Sequence, residues 1–439
     1  MFKNKFINNT RWMIISSLSQ MVLSFFIGII TARYLGPNNY GIINYVSAFM
    51  SMAIPVVQLG LYGIVIKELT LQPEKHGEII GSAIFMRFIT GILSTIFIIT
   101  IISFVSKSNL DSTLFKVSIL QSISLLLYGY EIIVYWYQSQ LMSKYTAVIE
   151  VIAYIVTSIF KIILLINQMN VVWFAFSFSL DLIVYSLMIG ILYWKMGFQR
   201  LSVSITLCKQ MFQKSKFLLL SVLIGSIYGQ IDKVILKHYL DNTAVGLYSA
   251  AITVSTIWGF IPGAVIDSAR PKIMEYVEVD KNIYIDRLKK LIAFCIWIGI
   301  IVVLLIILFA KMIINVLYGP DYIEIVNTLR IYSISIIFPY LGVIRTIWLI
   351  CENKQKYEVY LAIYSTIISI FTYLIFIPYY GIEGAAIAKL ITNISVNVII
   401  LFFIKSTREF AVYILDALRF KNILSLSEIN QIKNKIKRG

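Results

Sequence analysis

Charged side chains stand inside long apolar runs at Arg87, Lys161, Lys233, Arg330, Arg345 and Lys389, and at Glu131, Glu150, Asp181, Asp232 and Glu383. Each would cost ~2.5–3.5 kcal/mol at the middle of a bilayer, so a charge kept there is a functional candidate. Cations at such depth can grip the oxygens of an anionic group, arginine two at a time. Acids there can carry a proton or a coupling cation. Lys161 and Arg330 lie near the outer ends of their runs and can snorkel to the head groups; Glu131, Glu150 and Arg345 lie near inner ends, where the same escape is open. Arg87 is about eight residues in, ~12 Å at helical rise, and Lys389 is at similar depth from the other side. Both fit either a cation lining a wet cavity or a buried ion pair. Asp181, close to the midplane, fits either an ion-coupling site or a neutral acid hydrogen-bonded to a neighbouring helix.

Asp232 and Lys233 are adjacent, so on a helix they point about 100° apart and cannot pair closely with each other. Each needs a partner on another helix or on a ligand. Ser226, Gln230 and Lys233 form one polar stripe, and Gly225 and Gly229 have the spacing of close helix packing. Arg33 at the outer mouth and Arg270 in an inner loop extend a basic track to both faces. The candidate cavity set is therefore Arg33, Arg87, Lys233, Arg270, Arg345 and Lys389, with Asp181 and Asp232 as ion-coupling or charge-pair acids. An anionic cargo such as a pyrophosphate group suits this set.

The elements that must position these residues are membrane helices. The chain has 439 residues, 59% hydrophobic and 14% charged, against about 25% charged in soluble proteins, and its mean hydropathy is +0.84. Twelve runs are long enough to cross a ~30 Å hydrocarbon core: 12–32, 42–66, 79–105, 115–137, 146–166, 171–194, 217–238, 244–266, 291–310, 327–350, 359–379 and 382–404. No small-residue cleavage site follows a short apolar stretch at the start, so the first run is expected to stay as a helix. Cys208, Cys295 and Cys351 are too few for a disulfide framework, and His76 and His238 lack metal-ligand spacing. There is no GxxxxGK[ST], DxD or HExxH pattern. The expectation is no catalytic residue, no metal and no cofactor.

Lysine and arginine set the orientation. With the N-terminus inside, the outer loops and outermost helix ends hold only Arg33, Lys107, Lys116, Lys237 and Lys311, whereas most of the 38 Lys and Arg fall on the cytoplasmic side. Both termini are expected in the cytoplasm of a bacterial cell, in its inner membrane. The net charge of +16 follows from that bias and calls for no nucleic acid. Trp12, Trp136, Trp173, Trp194, Trp297 and Trp348 lie close to expected helix ends, as in an interfacial aromatic belt, and Trp258 alone is mid-span. In the tail, Phe410, Tyr413, Ile414, Ala417 and Phe420 are at helical spacing, which predicts an amphipathic helix on the inner leaflet.

Residues 34–42 read YLGPNNYGI and residues 239–247 read YLDNTAVGL. Tyr34 precedes Gly41 by seven positions, as Tyr239 precedes Gly246. A repeat of about half the chain in a membrane protein points to a transporter built from two bundles. The expected divisions are an N-terminal lobe over 1–194, a cytoplasmic linker over 195–216, a C-terminal lobe over 217–404, and a basic tail over 405–439.

Asn9-Thr10-x-Trp12, ARYLGPNNYG at 32–41 and LGLYG at 59–63 before Lys67-Glu68 carry a family resemblance. QIDKVIL at 230–236, VGLYSAA at 245–251, Pro262 and YGIEGAAIA at 380–388 continue it. Over nearly the whole length the chain resembles the polysaccharide-biosynthesis flippases, which export O-antigen and related lipid-linked repeat units. That resemblance implies the multidrug/oligosaccharidyl-lipid/polysaccharide fold: all-α, with twelve transmembrane helices in two pseudo-symmetric six-helix bundles forming a V that alternates access. It implies as cargo a polyprenyl-pyrophosphate-linked oligosaccharide turned from the inner to the outer leaflet, with membrane lipids, a polysaccharide polymerase and chain-length machinery as partners. The similar lipid II flippases have cationic cavities and often two extra helices, for which this tail is too polar.

Three rivals remain open. A membrane glycosyltransferase or polymerase usually needs a sizeable outside loop, and the longest here is 311–326. A cation-coupled exporter on the same fold is expected to carry embedded acids in its first lobe, and the first helix has none. A scaffold for other biosynthetic enzymes is the third. The orientation is directly testable: in a background without the native cysteines, a cysteine at Asn38 should react with a membrane-impermeant thiol reagent added outside, and one at Asn282 should not. The opposite labelling would overturn the topology.

Overall fold

A computed structural model of the chain describes residues 2–106, 112–196 and 199–419. The described chain is helical, with no strand. The first compact unit, Met1–Leu247, contains α1 (Phe2–Gln58), α2 (Tyr62–Leu71), α3 (His76–Val105), α4 (Thr113–Leu127), α5 (Glu131–Ser139), α6 (Ser143–Ile166), α7 (Val171–Lys195) and α8 (Ile205–Tyr239). The division falls inside α9 (Asn242–Thr256). The second unit, Tyr248–Gly439, contains α10 (Phe260–Val279), α11 (Lys281–Leu317), α12 (Val326–Ser335), α13 (Ile337–Cys351), α14 (Lys356–Ile394), α15 (Ile400–Phe403) and α16 (Arg408–Ala417).

Among the described residues, ten helical stretches are long and apolar enough to cross a membrane, making this a multi-pass membrane protein. Two of them, Ile15–Leu71 and Lys356–Phe403, each hold two of the expected spans and are broken from within. Residues 205–216, read from sequence as connection, are the first turns of α8.

The family-like motifs turn out to be the joints. In RYLGPNNYG, Gly36 takes φ 70° and ψ 168°, and Pro37 starts the next helical segment with its fixed φ. In LGLYG, Leu59 and Gly60 both have positive φ (55° and 63°) and separate α1 from α2. In YGIEGAAIA, Gly381 breaks α14 at φ 55° and ψ −131°. A side chain other than glycine in that left-handed region costs roughly 1–2 kcal/mol. Elsewhere, helix starts are capped by side chains: Ser112 accepts from Phe115 N, Asn170 from Val172 N, and Asp280 from Asn282 N and Ile283 N.

The two halves of the internal repeat meet each other. A Cβ on Gly41 would land on the Asn242 carbonyl and within 2.9 Å of Gly246 N. A Cβ on Gly246 would land on the Pro37 carbonyl and within 2.8 Å of Gly41 N. Each repeat thus presents a bare glycine to the other's backbone, a reciprocal seam that only glycine permits. Inside a bilayer, where lipid tails are as apolar as leucine, such van der Waals fit is a principal source of helix association. Gly225 and Gly229 do not repeat this: a Cβ on either meets nothing within 4 Å, so the expected packing role is not found there.

The tail corrects another expectation. The apolar face of α16 lies on the protein rather than on the leaflet: Phe410, Tyr413, Ile414 and Ala417 are buried in a core with Leu288, Ile292 and Trp348. Phe420 lies outside the described residues. The Phe410 ring stands 5.5 Å from Trp348, so this tryptophan is fully buried and is not an interfacial anchor. Trp194 and Trp173, by contrast, are exposed as a belt requires. Lys289 Nζ donates to Asp416 at 2.7 Å and sits 5.0 Å from the centre of the Tyr413 ring. The Lys289 hydrogen bond holds the Asp416 carboxyl below the usual carboxylate range.

Gly41→Ala is expected to lower the unfolding free energy by ~1–3 kcal/mol, as overpacking does. Gly28→Ala, where a Cβ meets nothing within 4 Å, should stay within ~0.5 kcal/mol of the parent. Thermal unfolding of the purified protein, followed by tryptophan fluorescence, measures both. Equal losses would contradict the seam.

Candidate functional site

One charge of the first unit is fully enclosed. Arg87, on α3, has zero solvent exposure and donates from one terminal nitrogen to Glu131 Oε2 at 2.8 Å and to the Tyr128 carbonyl at 3.1 Å. Its other terminal nitrogen donates to Tyr135 Oη at 2.9 Å. Gln58, at the end of α1, donates its amide to both oxygens of Glu131, at 3.1 and 2.9 Å. Tyr135 also donates to Glu131, at 3.1 Å. The carboxylate therefore accepts from three side chains brought by α1, α3 and its own helix α5. A turn of 3₁₀ geometry at Tyr128–Tyr130 turns α4 into α5 and leaves the Tyr128 carbonyl for the arginine. Of the two arrangements open for Arg87, this geometry is the buried ion pair.

Arg345 in the second unit is held the same way. On α13, and 5% exposed, it donates to the Val396 carbonyl at 3.2 Å, Asn397 Oδ1 at 3.0 Å and Glu358 Oε1 at 3.3 Å. Thr346 shares Glu358 Oε1 at 3.1 Å. The Val396 carbonyl comes from a stretch of π-helix, Ser395–Ile399, that widens the helical turn beside the guanidinium. Arg345 therefore does not reach out to head groups.

Other candidates are more open. Lys233 is half-buried and donates to Gln230 Oε1 at 3.0 Å along the expected stripe. Asp232 beside it is buried, and its carboxylate accepts from the Lys233 backbone N–H at 2.8 Å. Lys389 is half-buried in α14, and Arg33 is exposed beside the Gly36 break. Arg270 is exposed on α10, bridged to Asp267 at 3.2 Å one turn away. Such a surface pair contributes little, typically under about 1 kcal/mol.

The interior of the first unit also carries acids. Asp181 is half-buried on α7 and accepts from Thr157 on α6 at 3.2 Å. Glu150 accepts from Ser16 of α1 at 2.5 Å. The first helix has no acid of its own, but it reaches one through that serine. Lys161 lies with its ammonium 5.1 Å from the centre of the Phe178 ring.

Sequence reasoning did not single out Gln58, Tyr135, Glu358 or Asn397. Tyr135 carried a signal, lying one helical turn after Glu131. Glu358 sits one residue before the expected span 359–379, outside the run that would have marked it as an embedded charge. Gln58 and Asn397 reach their partners across helices, which spacing does not encode.

A family model described as polysaccharide biosynthesis protein matches residues 6–268. The capsular polysaccharide biosynthesis protein CapF of Staphylococcus aureus is 25% identical over 200 residues, 45% of this chain and 50% of that protein. The chain thus spans about half the length of that curated relative. Among solved structures, the lipid II flippase MurJ in an inward closed conformation superposes with a TM-score of 0.70 at 18% identity, over 92% of this chain and 90% of that one. An inward-facing multidrug resistance transporter of the MATE family, in the MOP superfamily, gives 0.66 at 17% identity over 90% of this chain and 95% of that one. These likenesses give this chain the fold of those transporters.

Removing one partner of a buried ion pair strands the other charge, which typically costs ~3–5 kcal/mol. Glu131→Ala is expected to destabilise the protein by that amount. The double variant Arg87→Met with Glu131→Leu, which removes both charges, should recover most of it. Unfolding of the purified variants decides this: a double variant no better than Glu131→Ala would refute the pairing account.

Proposed function

The chain belongs to the polysaccharide biosynthesis protein family, and we propose that it is a flippase that turns a polyprenyl-pyrophosphate-linked oligosaccharide from the inner to the outer leaflet of a bacterial cytoplasmic membrane. What supports this reading is the family match joined to a fold shared with a lipid flippase, in a chain that keeps cations at membrane depth. The greasy tail of such a cargo can stay in lipid throughout. Its charged, sugar-bearing head cannot, because an ion in hydrocarbon loses its hydration without compensation. Head-group passage is therefore the step that needs protein.

Lys233 and Lys389 meet the pyrophosphate in this reading, and Arg33 and Arg270 attract it at the two faces. Arg87 and Arg345 already hold Glu131 and Glu358, so they serve the cargo only by exchanging carboxylate oxygens for phosphate oxygens. Such an exchange would release a carboxylate at the moment the cargo arrives. The lobes, 1–194 and the part that begins with α8, would rock to alternate access, with the N- and C-termini on the cytoplasmic side. A polymerase and chain-length machinery would consume the delivered unit.

One observation favours cation coupling. Glu131, Glu150 and Asp181 all lie within the helices of the first unit, each with a hydrogen-bond donor on another helix. Asp181 would be the coupling acid, and Asp232 a charge-pair acid next to Lys233.

In a deletion strain scored for surface polysaccharide, Lys233→Gln and Lys389→Gln are expected to slow export by roughly 10- to 100-fold, the equivalent of one lost charge-assisted hydrogen bond of ~1.5–3 kcal/mol. The arginine replacements should retain most of it. Asp181→Asn should abolish dependence on the ion gradient. Full export by both glutamine variants, at normal protein levels, would refute the cargo role of these lysines.

A further inference from the structure

Two apolar grooves flank α6 at its first turns. One, of ≈450 Å³, runs between α6 and α7 along Val148, Met188 and Leu192, with Lys144, Tyr145 and Lys195 where α6 begins and α7 ends. The other, of ≈180 Å³, runs between α1 and α6 along Ile15, Val151 and Ile152, with Trp12 at the same end. Val148 lines both, so a single ridge of α6 separates them. Lys144 touches both: it lines the wider groove, and its ammonium lies 5.3 Å from the centre of the Trp12 ring at the end of the narrower one. Both lysines are exposed. Among the described residues, no acid lines either groove.

Apolar furrows inside a membrane are filled by hydrocarbon chains, so the question is which lipid. The two ammonium groups at one end, with no carboxylate to neutralise them, select a head group carrying a phosphate and no compensating amine. Two furrows one ridge apart suit two chains joined at one head. We infer that α6 is straddled by a single anionic two-chain phospholipid, its phosphate between Lys144 and Lys195 and one acyl chain in each groove. Tyr145 at the rim offers its hydroxyl to the same phosphate. A single-chain polyprenyl phosphate would fill only one furrow, so this site is distinct from the passage of the cargo and does not depend on it. The lipid would bind the foot of the two helices that carry Glu150 and Asp181, and so bear on the polar interior above.

Native mass spectrometry of the full chain, released from micelles titrated with dioleoyl phosphatidylglycerol, tests this. One tightly retained phosphatidylglycerol per chain is expected, with dioleoyl phosphatidylcholine at least tenfold weaker. At ~1 kcal/mol per lysine, Lys144→Gln with Lys195→Gln should weaken retention about 30-fold, or ~2 kcal/mol at 1.4 kcal/mol per tenfold. The double arginine variant should retain it, which guards against a fold defect in the glutamine protein. Lys209→Gln with Lys216→Gln, an equal loss of charge on α8, should leave retention unchanged. Val148→Trp, which fills the shared ridge, should displace the lipid with both lysines in place. The inference is overturned by retention that survives the Lys144 and Lys195 change, by phosphatidylcholine binding as tightly, or by displacement of phosphatidylglycerol at equimolar undecaprenyl phosphate.

Discussion

A charge that cannot reach water has to find its counter-charge inside the protein, and in hydrocarbon there is almost no way around that demand. The Arg87 guanidinium meets it with a carboxylate and a phenol from α5 and a backbone carbonyl from the 3₁₀ turn before it. The Arg345 guanidinium meets it with a carboxylate, an amide and another carbonyl. Each arrangement fixes the relative positions of helices that van der Waals contact alone would leave free to slide. In both, the carbonyl is supplied where the helix is irregular, at a 3₁₀ turn beside Arg87 and at a π-helical stretch beside Arg345. The irregularity and the charge depend on each other: one frees a carbonyl, the other occupies it.

The same economy governs the joints. Gly36, Gly60 and Gly381 allow long apolar helices to change direction, and they stand inside the motifs that carry the family resemblance. Gly41 and Gly246 do something else, allowing two backbones related by the internal repeat to touch. A transporter that alternates between states needs places where helices bend and places where they press together. Here both functions fall to glycine, and Gly36 and Gly41 place one of each within a single motif.

Much of this was legible in the sequence. The apolar runs, the repeat, the family motifs and the helical tail were visible because each is written in local spacing. What was not legible depends on partners far apart in the chain. Nothing near Glu131 announces that Gln58 will donate to it, and Glu358 precedes its apolar run by a single position, outside the charges that the runs mark out. Trp348 looked interfacial by its place at a helix end, yet α16 folds back over it. Gly225 and Gly229 had the spacing of a packing motif, but spacing names a face without supplying a neighbour. The tail helix was expected on the leaflet because its apolar stripe needed a cover, and Leu288, Ile292 and Trp348 of α11 and α13 provide one.

The charges thus sort into a set that holds the frame and a set that remains more open, and the account gives the open set the work of moving an anionic head through lipid. Reconstituted vesicles loaded with a fluorescent polyprenyl-pyrophosphate oligosaccharide, with a membrane-impermeant quencher added outside, measure that movement. The account predicts that vesicles containing the protein expose their inner-leaflet cargo to quencher much faster than protein-free vesicles, and that Lys233→Gln removes most of the difference. Equal rates with and without the protein would contradict it.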